Sequence, residues 1–156
     1  MILITGAAGK TGRAVLKALV EKGESVRVLV HRREQADELV KLGAADSYTG
    51  DMTKPESFLR AMEGVTSVYH ICPNMHEDEI EIGNLALKAA RSRGIEHFVY
   101  HSVLHPHTEK MAHHWKKMRV EELLFESGLR FTVLQPAPYM QNILAARDEI
   151  LTEGRF

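Results

Sequence analysis

Apolar positions along this chain alternate between two spacings. Residues 1–5 (MILIT) form a continuous apolar run, too short for a helix and suited to a strand buried on both faces. A glycine-rich turn follows from Gly6 to Gly12. Ala14, Val15, Ala18 and Leu19 then recur at helical spacing, and Gly23 stands where a helix would close. The unit repeats: residues 25–30 (SVRVLV) read as a β-branched strand and residues 34–42 as a helix stopped by Gly43. Residues 46–50 read as a weaker strand, and Thr53-Lys-Pro-Glu56 as a capping box opening a helix that Gly64 ends. Residues 66–71 follow as a strand. Residues 78–93 are helical, with Ile82, Leu85, Ala86 and Ala89 on one face and Gly94 behind them. Residues 96–102 then read as a strand, 110–127 as a helix closed by Gly128, and 130–135 as a strand broken by Pro136 and Pro138. Residues 142–152 read as a final helix.

Six strands alternating with helices predict an α/β fold, a parallel sheet covered by helices on both faces. The natural topology is doubly wound, two βαβαβ halves with strand order 3-2-1-4-5-6, the Rossmann arrangement. No linker or low-complexity run divides the 156 residues, so residues 1–156 are expected to form one domain of this kind. With 44% hydrophobic and 26% charged residues, the composition supports an ordinary core and excludes a disordered or collagen-like chain. A net charge of −1 and no basic stripe give nucleic acid or an anionic membrane no electrostatic handle. The one cysteine, Cys72, excludes an internal disulfide. The start lacks the form of a signal peptide, and no segment has the length to cross a bilayer, so a cytoplasmic protein is expected.

The turn Gly6-x-x-Gly9-x-x-Gly12 between strand and helix assigns each glycine a task. Gly6 permits the tight turn, Gly9 lets backbone approach a pyrophosphate, and Gly12 allows close helix packing. Ala8, Gly9, Lys10 and Thr11 present backbone N–H groups and the positive end of a helix dipole to phosphate, and Thr11 adds a hydroxyl. A Walker-type loop is excluded, because Gly9-Lys10-Thr11 has no glycine at the required distance before it. After the second strand, where NAD binders place an acid for the ribose hydroxyls, stand His31-Arg32-Arg33. Arg32 and Arg33 suit a 2′-phosphate through charge-assisted hydrogen bonds, so NADP(H) is expected over NAD(H). Asp51 either reaches the adenine or caps a helix, with Met52 packing beside it.

Several stretches together resemble the NmrA-like group of atypical short-chain dehydrogenases/reductases. They are GAAGKTG, the arginine after the second strand, Gly50-Asp51-Met52, His101-Ser102, and residues 117–122 (KMRVEE) with 127–136 (SGLRFTVLQP). The resemblance implies an NADP-preferring Rossmann domain. Members of the group reduce quinones, dyes and other unsaturated small molecules, and others are thought to sense the NADP/NADPH ratio without chemistry. It also implies a serine after the fifth strand and a Tyr-x-x-x-Lys pair on the next helix, positions that fall on Ser102, His113 and Lys117. Residues at i and i+4 share a helix face, so His113 and Lys117 point the same way. Lys117 would bind the nicotinamide ribose, His113 would donate a proton, and Ser102 would orient substrate oxygen. The departure from tyrosine leaves His113 open between proton donor and surface histidine.

Cys72-Pro73 after the fourth strand and Pro136 after the sixth fall at the nicotinamide end. Cys72 reads as a small apolar residue beside the cofactor rather than a reactive thiol. The nine histidines show no spacing for a tetrahedral metal set, so no metal is expected. Members of the group run to about twice this length, the remainder supplying a seventh strand and most of a substrate lid. Here the sequence ends at Gly154-Arg155-Phe156, where a further strand would start. That leaves a short product, a homodimer, or a partner protein completing the cleft. Two functions stand open: an NADPH-dependent reductase of a small quinone-like or unsaturated carbonyl substrate, and a non-catalytic NADP(H)-binding sensor or regulatory module.

Overall fold

Strands β1 (Ile2–Thr5), β2 (Val26–Val30), β3 (Asp46–Thr49), β4 (Ser67–His70), β5 (His97–His101) and β6 (Phe131–Leu134) pair in parallel in one sheet. Their order is β3-β2-β1-β4-β5-β6, as the alternation of patterns predicts. The computed structural model describes residues 1–154; Arg155 and Phe156, part of the expected further strand, lie outside the described residues. Helices α1 (Lys10–Glu21), α2 (Arg33–Lys41), α3 (Pro55–Ala61), α4 (Glu79–Ser92) and α5 (Ala112–Glu126) make the crossovers. The apolar residues of β1 and β2 are buried because helices cover both sides of these strands. On one side Ile4, Val26 and Val28 pack with Leu16 and Leu39 of α1 and α2. On the other, Leu3, Val68, Phe98 and Tyr100 pack with residues of α3, α4 and α5, among them Phe58, Ile82, Val120 and Leu124.

Two local expectations are corrected. The capping box at Thr53 does not form, because the Thr53 hydroxyl donates to Asp51 Oδ1 (2.8 Å) instead of capping the helix. Helix α3 starts one residue later, with Lys54 as N-cap and Pro55 in its first turn. The final helix is in two parts, a 3-10 segment Met140–Ala146 followed by α6 (Arg147–Glu153), and neither buries a residue. Without a core to face, helical spacing there does not enforce regular α geometry. No helix among the described residues is long and apolar enough to cross a membrane.

His70, the last residue of β4, sits inside the larger core. Its ring lies 5.8 to 6.0 Å from those of Phe58, Phe98 and Tyr100. Nδ1 is 2.8 Å from the Thr5 hydroxyl, and Nε2 has no partner among the described residues. Burial, with the nearby Lys117 charge, pushes this imidazole down to about 3. The unfolded chain takes up a proton near pH 6.5 and the fold does not, so stability falls as pH drops from 6.5 toward 3. Going from pH 7.5 to pH 5 is expected to cost about 2 kcal/mol from this group alone. Urea unfolding at the two pH values checks it: His70→Gln should reduce the pH dependence by about that amount, and an unchanged dependence would contradict the assignment.

Candidate functional site

The carboxyl ends of the strands open onto a cleft of about 780 Å³, running across the point between β1 and β4 where strand order reverses. In an open α/β sheet this is where ligands bind. The three turn glycines divide by what surrounds them. Gly6 has φ +61°, and a Cβ there would lie 2.6 Å from the Ile71 carbonyl oxygen of the loop after β4. A Cβ on Gly12 would lie 2.5 Å from both Ala7 Cα and the Gly6 carbonyl oxygen. These two are required by packing. A Cβ on Gly9 would meet nothing nearer than the Gly6 carbonyl oxygen at 3.4 Å. Gly9 lines the cleft as the N-cap of α1, so its open side lies where that helix presents its first N–H groups. This arrangement fits the pyrophosphate of a dinucleotide. Ala8, Lys10 and Thr11 line the same end, and Arg13 Nε holds the turn by donating to the Ala8 carbonyl oxygen (3.0 Å).

At the adenosine end, His31, Gln35, Gly50 and Met52 line the cleft. Arg32 and Arg33 are exposed at the start of α2 beside it, outside its lining. The Gln35 side chain reaches back to accept from the Arg32 backbone N–H (3.1 Å) and fixes that entry. Asp51 also stands outside the lining. Its Oδ1 accepts from the Thr53 N–H and hydroxyl (2.8 Å each), its N–H donates to Ser57 Oγ, and the Thr53 bonds hold its carboxyl below the usual range. Its visible work is shaping the turn before α3.

Lys117, Ser102, His113, Cys72, Pro73 and Pro136 come together at the opposite end. Lys117 Nζ donates to Glu79 Oε1 (2.6 Å) and to the His101 carbonyl oxygen (3.3 Å), and lies 5.4 Å from the centre of the Tyr100 ring. The Tyr100 hydroxyl donates to the same Glu79 oxygen at 3.2 Å. The Ser102 hydroxyl donates to Glu121, whose two oxygens also accept from Gln135 Nε2 (3.0 Å each). The Ser102 proton is therefore directed into the core, and its lone pairs remain for a ligand. His113 stands one turn before Lys117, its ring edge-on to His114 at 4.4 Å. Desolvation, then neighbouring His114, holds His113 below the ordinary imidazole range.

Sequence reasoning missed three residues here. His101 Nδ1 is 3.0 Å from the Tyr69 hydroxyl and its Nε2 is 3.3 Å from the Tyr139 hydroxyl. Tyr139 in turn meets Thr11 Oγ1 at 2.8 Å, so a hydrogen-bonded run crosses the cleft to the phosphate turn. Burial, with Lys117, holds His101 below its ordinary value. Glu79 and Glu121 are buried behind the cleft. Their signal was available: Glu79 is in register with Ile82 and Ala86, and Glu121 with Leu124, each an acid on an apolar helix stripe. Among the described residues no group of three or more His, Cys, Asp or Glu is placed to hold a metal.

Comparison with known proteins agrees with the fold. The family model described as NmrA-like family matches residues 1–154. An NAD(P)H azoreductase of Xenophilus azovorans is 28% identical over 100% of this chain and 54% of its own length. A photosystem II assembly factor of Cyanophora paradoxa is 30% identical over 92% of this chain and 47% of its own. Among solved structures, an NADPH-dependent quinone oxidoreductase of Escherichia coli complexed with NADPH superposes with TM-score 0.89 at 25% identity, over 99% of this chain and 55% of that one. The chain thus spans about half the length of the curated relatives it matches.

Cys72 is buried beside this end, and desolvation, with the Glu79 charge, pushes its thiol up to about 12. The thiolate is the reacting species, so at pH 8 the fold should carry about a thousandfold less of it than a free cysteine. Iodoacetamide labelling of the native protein should be correspondingly slow and become fast in denaturant. Rapid native labelling would contradict a buried, neutral Cys72.

Proposed function

Because the chain belongs to the NmrA-like family, we propose that it binds NADPH across this cleft and reduces a small quinone-like or unsaturated carbonyl compound. The observation that carries the reading is the open face at Gly9 sharing one cleft with Lys117. The names of two relatives, an NAD(P)H azoreductase and an NADPH-dependent quinone oxidoreductase, support the same chemistry. When bound, the dinucleotide supplies the hydride. The N–H groups opening α1 and the Thr11 hydroxyl hold the diphosphate. Arg32 and Arg33, at a strand end with no acid to receive ribose hydroxyls, favour the 2′-phosphate and hence NADP(H) over NAD(H). Lys117 donates to ribose hydroxyls, Ser102 orients substrate oxygen once its hydroxyl turns from Glu121, and His113 donates the proton that this oxygen takes up as the hydride arrives. Cys72, Pro73 and Pro136 shape apolar wall at the reactive end, which helps keep water from the transfer, and Met52 packs at the adenosine end. The site works in a reducing cytoplasm as one cofactor-binding domain, with a second copy or a partner protein closing the exposed side near Tyr139.

A second reading, an NADP(H)-binding module without turnover, is favoured by a specific pair of observations. The position of the expected tyrosine holds His113, and the Ser102 hydroxyl donates its hydrogen bond to Glu121 rather than into the cleft. A photosystem II assembly factor among the relatives points the same way.

Steady-state NADPH oxidation against quinones, enones and azo dyes separates the two. The first reading expects turnover, with Lys117→Ala lowering kcat/KM by at least about tenfold. Binding without turnover across the panel favours the second. Arg32→Ala should weaken NADPH binding about tenfold and leave NADH unchanged. Equal affinity of the wild-type protein for NADPH and NADH would remove the 2′-phosphate assignment.

A further inference from the structure

Two polar side chains at the reactive end are held from behind by buried glutamates, Ser102 by Glu121 and Lys117 by Glu79. Glu79 is 1% exposed and the Lys117 side chain 13%. A buried carboxylate–ammonium pair seldom stabilises a fold more than apolar side chains of similar volume, because both ions lose their hydration. Its location against a cleft therefore asks for another account. Nor does this pair resemble a carboxylate satisfied for stability alone. Glu121 accepts at both oxygens, whereas Glu79 takes Lys117 and Tyr100 on Oε1, and Oε2 is buried with no partner among the described residues.

An ammonium has three N–H donors on a flexible four-carbon stem. Lys117 directs one to Glu79 Oε1 and one to the His101 carbonyl oxygen at the end of β5. Two anchors on two different elements fix the nitrogen in space, and the Tyr100 ring backs it. Lys117 also lines the cleft, so the remaining N–H is the one available to a bound group.

We propose that Glu79 is a positioning residue, whose carboxylate tethers Lys117 so that its remaining N–H meets the ribose hydroxyls of a bound nicotinamide dinucleotide. The inference rests on the reading that the cleft binds NADPH. Glu79 itself touches no ligand; it acts through Lys117 by removing the ammonium's freedom to turn away. Preorganisation of this kind appears as affinity, because the ordering is complete before binding.

The test is a double-mutant cycle on NADPH affinity, read by fluorescence titration and independent of turnover. Glu79→Gln keeps the shape and removes the charge; Lys117→Met removes the tethered group; the double variant removes both. Melting temperature is recorded for each, since Glu79→Gln leaves a buried ammonium unpaired and the double variant does not. Each single change should weaken NADPH about tenfold, and Glu79→Gln should have no further effect once Lys117 is methionine. Wild-type affinity in Glu79→Gln overturns the proposal, as does an equal loss with and without Lys117. If Glu79→Gln does not fold, the comparison of Lys117→Met with the double variant stands alone. Matched affinities there support the tether, and a further loss overturns it. A wild-type protein that binds no NADPH removes the functional reading and this inference together; binding with additive effects removes this inference only.

Discussion

The start of α1 lies against the chain that leads into it, closer than any side chain permits. Gly12 rests on Ala7 and the Gly6 carbonyl, and Gly6 rests on the Ile71 carbonyl beyond β4. Several features depend on this contact. It turns the chain sharply out of β1, so that α1 crosses back over β1 and β2 with Leu16 in the core. It also brings the turn against the end of β4, where the Ile71 N–H donates to Thr5 Oγ1 (2.9 Å) and joins the two strands at the reversal of sheet order. The first N–H groups of α1 are thereby aimed into the cleft, with Gly9 leaving their approach clear. A helix dipole is useful to an anion only if the anion can come near, and here the missing side chains set that distance.

The two faces of the sheet divide the remaining work. The α1–α2 side is an apolar packing layer. The α3–α5 side is apolar too, yet it also buries His70, Glu79, Ser102 and Glu121. Each of these polar groups lies at or behind the carboxyl ends of β4 and β5. A carboxylate in such a place is costly unless paired, and a partner that also lines the cleft gives the cost a functional return. Glu79 fits that description through Lys117, and Glu121 through Ser102.

The fold was legible from local pattern because each helix–strand unit is short and closed by glycine. Gly23, Gly43 and Gly94 all take the left-handed conformation that a helix end needs. The phosphate turn was legible for the same reason, since its glycine pattern lies within seven residues. Legibility failed where partners are distant in sequence. The 38-residue separation of Lys117 and Glu79 hides their pairing from any local pattern, and β5 gives no local sign that His101 spans Tyr69 and Tyr139. At Thr53 a local rule misled, because Asp51 competed for the same hydroxyl. Arg32 and Arg33 were read from charge and position alone, and the fold puts both on the exposed rim beside the cleft, outside its lining.

The central claim is that the turn at residues 6–12 receives a dinucleotide diphosphate over Gly9. Gly9→Val tests it most directly, because the position has an ordinary φ of −75° and a Cβ there would meet only the Gly6 carbonyl oxygen, at a contact distance of 3.4 Å. The measurement is NADPH affinity by titration, with the melting temperature of the free protein as control. The account predicts a melt close to that of the wild type and a loss of NADPH affinity of at least about a hundredfold, since the side chain fills the phosphate's approach. A folded Gly9→Val protein that binds NADPH as tightly as the wild type would contradict it.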